Sequence, residues 1–301
     1  YYNDKIDDCE GDQRKLFGFV DDLLKREKPT ALPKHDNLTD LVESFSSFFM
    51  EKIETIRKDL ADLEVTTESL SCPPVSTLLP PSSTNMDSFK PATQEEISKI
   101  IKGSSKASCK LDPLPTRLLS DHFLPELLPI ITDIVNCSLS NGDFPSSLKI
   151  AMVKPLLKKL SLDPEIFKHF QPISNLSFLS KIIERIAAKR LFDHMTQNGL
   201  HDIMQSAYKP CHSTEMALLR VKNDILSAID NKSGVFLALI DVSAAFDTVD
   251  HEFLIPFLED TVGIKGAALE WVRSFLSGRL PCSSSDLDLS NVVVLVCGVT
   301  D

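Results

Sequence analysis

The sequence predicts a mixed α/β (α+β) fold, and three observations carry that expectation. Stretches in which apolar residues return every three or four positions mark amphipathic helices. Short unbroken apolar runs rich in valine and isoleucine, set between them, mark strands. Residues 71–92 gather Pro73, Pro74, Pro80, Pro81 and Pro91 among many Ser and Thr, a composition with little apolar surface to bury. The chain therefore divides into a helical leader of residues 1–70, a Pro/Ser-rich linker of 71–92 and a mixed region of 93–301.

The elements follow in order. Leu16, Phe17, Phe19, Val20, Leu23 and Leu24 recur at helical spacing between Gln13 and Lys28. A second helix is expected over Leu38–Leu63, where Leu41, Val42, Phe45, Phe48, Phe49, Ile53 and Ile56 make one broad stripe. After the linker, Thr93-Gln94-Glu95-Glu96 is a capping box that opens a helix through Ile97, Ile100 and Ile101. A Pro-rich turn at Leu111–Pro115 precedes a helix from Leu124 to Ser140, which should stop at Asn141-Gly142, where glycine can take the left-handed conformation. Ile150–Lys159 reads as a strand with a basic exit, 177–198 as the best amphipathic helix and 213–230 as another. Val235–Ile240 is six consecutive apolar residues without alternation, the pattern of a strand buried on both faces. A last strand is expected at Val292–Val296.

Composition excludes several classes. With 301 residues, 43% of them hydrophobic and 25% charged, the chain is neither a disordered tail nor a collagen-like repeat nor a polybasic arm. Its formal charge of −11 argues at first sight against nucleic acid, but the charge is segregated. Residues 1–90 carry 11 basic and 18 acidic side chains, net −7; residues 97–190 carry 14 and 8, net +6; residues 241–301 carry 3 and 10, net −7. A local basic patch is what phosphate binding requires. The 7 cysteines are scattered without a C-x-x-C pair, so neither a disulfide framework nor a zinc knuckle is indicated and the thiols read as reduced, in the cytoplasm or nucleus. The apolar runs are broken well short of the roughly 20 residues of a membrane helix and no signal peptide opens the chain, so no membrane association is expected. The missing initiator Met and the abrupt end after Val292–Val296 read as cuts from something longer.

Asp241 stands out on physical grounds. It closes the Val235–Ile240 strand, and burying an unpaired carboxylate costs several kcal/mol unless a metal or a cation compensates it.

The residues around it carry a resemblance. Leu239–His251 resembles the first palm motif of reverse transcriptases, in the form found in LINE-type non-LTR retrotransposons. Pro172–Ile182 and Gln205–Glu215 are similar to two upstream blocks of that family, in the same order. Leu111–Thr116, Phe144–Lys149 and Val153–Lys159 look like it too, as do Lys15-Leu16-Phe17 and Phe48–Ile53 in the leader. The resemblance covers nearly the whole chain.

It implies a right-hand polymerase architecture, with fingers and an incomplete palm behind the helical leader, and RNA-directed DNA polymerisation through two Mg²⁺ ions roughly 4 Å apart. By resemblance, Asp241 is a metal ligand with the carbonyl of Val242 as a second contact, and Phe246 is the aromatic gate against a ribose 2′-hydroxyl. Lys209 and Lys154 are nucleotide contacts, and Lys158 and Lys159 meet nucleic acid. The implied partners are an RNA template, a DNA primer and deoxynucleotides. Plainer roles stand beside these: an N-cap for Asp241, a core position for Phe246, and solvated surface for the lysines. Lys181, Arg185, Lys189 and Arg190 read as the wet side of their helix.

Several departures qualify the implication. Gln171 stands where the family has Arg, and Lys209 keeps a charge but loses the bidentate fork. The family's second carboxylate pair would follow Gly298-Val299, where this sequence stops, so the chain alone is expected not to polymerise. Phe19-Val20-Asp21-Asp22 imitates that pair but sits inside the leader helix. The alternative is a non-enzymatic module that binds RNA or a partner through the basic fingers.

Overall fold

The computed structural model describes residues 32–66, 84–242, 245 and 249–278. Helix α1 runs over Leu38–Thr66. Its start is fixed by Asn37, whose Oδ1 accepts from the Thr39 N–H at 3.0 Å. Helix α2, Gln94–Lys102, is capped by Thr93, whose hydroxyl accepts from the Glu96 N–H at 3.2 Å. Helix α3, Leu124–Asn141, is continuous with a helical lead-in from Thr116 and ends where Gly142 takes φ 66°. A Cβ at Gly142 would lie 2.8 Å from the Ala267 carbonyl, so close approach and backbone sign both demand glycine there.

Strands β1, Ala151–Leu157, and β2, Phe170–Leu176, form an antiparallel hairpin. It is the one sheet among the described residues. Helix α4, Phe178–Gln197, is capped by Ser177. Helix α5, Thr214–Asp230, is capped by Ser213 and buries no residue. Helix α6, His251–Phe257, continues as a wider turn to Val262, and α7 spans Gly266–Leu276.

The main core joins α2, α3, α4 and α7. Ile97, Ile101, Val135, Ile183, Ile186 and Trp271 are buried together there. A second, smaller core lies between α1 and the hairpin, from Phe45 and Phe49 on one side and Val153 and Phe170 on the other.

Residues 84–92, expected within the linker, are part of the packed body. Met86 donates to Gly263 O at 2.8 Å and accepts from Lys265 N at 3.0 Å, forming a parallel bridge to Ile264. Phe89 and Ala92 are buried in the main core. Chymotrypsin is therefore expected to leave Phe89–Lys90 intact in the native chain; rapid cutting there before the helical circular dichroism is lost would contradict this packing.

Two expectations are corrected. Val235–Asp241 has no regular secondary structure and no strand partner among the described residues, with Phe236 93% and Ile240 88% exposed, not a strand buried on both faces. A strand is defined by hydrogen bonds to a neighbour, and among the described residues none lies alongside this run. The apolar runs also understate one helix. Thr116–Asn141 is 26 residues long and contains an 18-residue window of mean hydropathy 1.2, long and apolar enough by length and composition to cross a membrane. Single polar residues break the run in sequence but not the helix, whose Leu124, Ile131, Val135 and Leu139 face the core. The helix expected over Gln13–Lys28 and the strand expected at Val292–Val296 lie outside the described residues.

Candidate nucleic-acid interface

The hairpin register sorts its side chains. Val153, Pro155 and Leu157 pair with Ser174, Pro172 and Phe170 on one face, while Met152, Lys154 and Leu156 pair with Asn175, Ile173 and Gln171 on the other. The first face packs on α1 through Val153 and Phe170. Lys154 is thus on the opposite face, directly across from Ile173 and with Gln171 on the same face, a face that is open around it although Met152 at its start is buried beside Cys109. Leu156 and Ile173 beside it are exposed.

The hairpin tip gathers further charge. Lys158 donates its backbone N–H to His169 O at 2.9 Å and its ammonium to Lys168 O at 2.8 Å. One of three ammonium donors is thereby committed to the backbone, and the cation is held at the tip. Lys159 is exposed, and its carbonyl accepts from Leu162 N at 3.1 Å. The tip's acids are turned to backbone donors: Asp163 accepts from Glu165 N at 2.9 Å, and Glu165 from Lys34 N at 3.1 Å.

Lys209 is half-buried in a tight turn. Tyr208 and Cys211 around it take φ 57° and 61°, a conformation that costs a residue with a Cβ roughly 1–3 kcal/mol. Asp241 and Val242 lie exposed at the end of the Val235–Asp241 run, and Phe246 lies outside the described residues. Among the described residues no group of three or more His, Cys, Asp or Glu is placed to hold a metal ion.

No protein-family model matches the chain. Individual proteins do. It is 34% identical over 168 residues to a probable RNA-directed DNA polymerase from transposon BS of Drosophila melanogaster, covering 56% of this chain and 18% of that protein. It is 26% identical over 213 residues to the RNA-directed DNA polymerase from mobile element jockey of Drosophila funebris, covering 69% of this chain and 22% of the relative. A Pol polyprotein from the type-1 retrotransposable element R2 of Popillia japonica is 27% identical over 199 residues, covering 66% and 26%. The chain is a relative of non-LTR retrotransposon reverse transcriptases. It spans about a quarter or less of the length of these reverse transcriptases.

The magnesium implied by that kinship is not accommodated by the described residues alone. Mg²⁺ takes oxygen ligands in near-octahedral geometry, and the Asp241 carboxylate and Val242 carbonyl would be candidates to hold part of it.

Two anchors of this reverse transcriptase relative escaped the sequence reading. Arg190, read as solvated, has only 11% of its side chain exposed and grips Glu96 with two bonds of 2.8 and 2.6 Å. It also donates to the carbonyls of Lys90 at 3.0 Å and Pro91 at 3.3 Å, at the wall of a cavity of about 710 Å³. The capping-box glutamate was the available signal: half the box forms, but the Glu96 carboxylate turns to α4 instead of to the Thr93 N–H. Asp112 is the other. Its carboxylate accepts from Phe178 N at 2.6 Å and Cys109 N at 2.9 Å, tying the Pro-rich turn to the first turn of α4.

Proposed function

We propose that the chain is the leader, fingers and beginning of the palm of an RNA-directed DNA polymerase, with β1–β2 as the fingers hairpin. The placement of Lys154 on the open hairpin face, with Lys158 held at its tip, carries this reading. Residues 1–70 are the leader; 71–92 connect it to the polymerase region of 93–301, although the packed body begins by Thr84. The partners are an RNA template, a DNA primer and deoxynucleotides, met in the cytoplasm or nucleus. Asp241 and the Val242 carbonyl contribute to a Mg²⁺ site that further carboxylates complete, Phe246 screens the sugar, and Lys209 meets the incoming nucleotide's phosphates.

The test is titration of the 301-residue chain with a fluorescent DNA primer annealed to an RNA template. Affinity is expected to fall steeply between 50 and 200 mM salt, and Lys158→Ala/Lys159→Ala to flatten the salt slope by about 1 to 2. No binding at the lower salt would sink the reading. With Mg²⁺ and deoxynucleotides, primer extension that disappears in Asp241→Ala would support Asp241 as a metal ligand, and extension undiminished in that variant would sink the role.

A further inference from the structure

The hairpin has no apolar support from the main core: none of the residues buried there belongs to β1 or β2. A two-stranded hairpin is marginal in water by itself and needs a hydrophobic face to pack on. Here α1 supplies that face. Phe45 is fully buried, its ring centroid 5.0 Å from that of Phe170 in an edge contact and 4.6 Å from that of Phe167. Phe49 stacks behind it at 6.0 Å, and the Lys34 N–H binds the Glu165 carboxylate at the hairpin tip. The segment read from composition as a leader outside the fingers is therefore their back wall.

We propose that Phe45 is a positioning residue, acting through the hairpin: α1 holds the face of Val153 and Phe170 so that Lys154 and Gln171 stay together on the open face that meets nucleic acid. The proposal rests on the polymerase reading for its ligand and on the packing alone for its wall. The register makes the link mechanical, because successive residues of β1 face opposite ways. Fixing Val153 in the buried cluster that Phe45 anchors fixes Lys154 one residue later, and a sheet freed from α1 can twist or slip by a residue and present the wrong face.

The experiment compares the full 301-residue chain with Phe45→Ala, Phe45→Leu, Leu41→Ala and Lys154→Ala, by amide hydrogen exchange and by binding to the same primer–template probe. In Phe45→Ala, exchange at 151–157 and 170–176 is expected to rise at least tenfold, while Ile182–Ile186 and Ala268–Val272 stay protected as in the wild type. Probe affinity is expected to fall about fivefold or more, Phe45→Leu to restore most of both, and Leu41→Ala to give a milder version of the alanine effect. Unchanged hairpin protection in Phe45→Ala overturns the wall. Lost hairpin protection with wild-type affinity, while Lys154→Ala binds weakly, overturns the positioning role. Loss of protection throughout the chain in both Phe45→Ala and Leu41→Ala overturns it too, since Phe45 would then be a general core residue. If Lys154→Ala binds as the wild type does, the polymerase reading of that face fails, and hydrogen exchange still decides the wall.

Discussion

Trp271→Ala is expected to cost about 3–5 kcal/mol of folding stability, the range for deleting a large aromatic side chain from a packed core. Trp271 is 3% exposed and meets Phe89 and Phe144 edge-on, each at 5.6 Å, while Phe275 stacks on it at 5.2 Å. Its indole N–H donates to Ser138 Oγ at 3.0 Å. The neighbours cannot close the gap easily, because Phe89 is held by the Met86 bridge and Phe144 by its N–H bond to Ser274 Oγ at 2.9 Å. Trp271→Phe keeps a ring but loses the hydrogen bond and part of the volume, so it should cost roughly 1–3 kcal/mol. Urea unfolding followed by circular dichroism measures both. A loss below about 1 kcal/mol for the alanine variant, against the range expected for a packed aromatic, would show that Trp271 is not the keystone of the main core.

Arg190→Ala is expected to destabilise the chain by about 2–4 kcal/mol at neutral pH, somewhat below the range for breaking a fully buried pair because both side chains keep some solvent. The loss has a pH signature. The Glu96 carboxyl is held below its ordinary 4.5 mainly by the hydrogen bonds from Arg190; burial pushes the other way, and the Arg190 charge adds to the lowering. A carboxylate whose folded pKa is depressed contributes stability that is fully present above its unfolded pKa and is lost as pH falls through the folded value. Wild type should therefore exceed Glu96→Gln in stability at pH 7, and the difference should shrink below about pH 4.5. Arg190→Lys is expected to recover little, because a point charge cannot span both carboxylate oxygens and the carbonyls of Lys90 and Pro91. A lysine variant as stable as wild type, or a Glu96→Gln deficit undiminished at pH 3.5, would contradict this account.

Local chemistry was legible in the sequence at several element ends, whereas β2, α6 and α7 were not expected, even though Asp250 caps α6 locally. Ser177 and Ser213 cap their helices as hydroxyls do before an apolar period, and Gly142 stops α3 in the left-handed conformation. β1 falls inside the expected strand, and α1 within a few residues of the expected helix. Other misses depend on partners distant in the chain. Arg190 has the spacing of a solvated face, and only Glu96 on another helix and the Lys90 and Pro91 carbonyls make it an anchor. Val235–Asp241 has the composition of a buried strand, but composition does not supply a neighbour. Pro91 and the serines near it gave 84–92 the look of a linker, although Phe89 and Ala92 carry enough apolar surface to enter the core. For the candidate site, the lysines of the hairpin were found by motif likeness, whereas their division between open face and tip required the strand register.

The Met86–Ile264 bridge joins segments near the two ends of the packed body, and so bears on how the chain is made. As the polypeptide leaves the ribosome, the aromatic cluster of α1 and the hairpin is complete once Leu176 has emerged. Phe89, Ile97 and Phe144 emerge early as well, but Ile264 and Trp271 come far later. A nascent chain stalled between those points is expected to hold a finished hairpin beside an open apolar face, and to be a chaperone client until α7 arrives to close it.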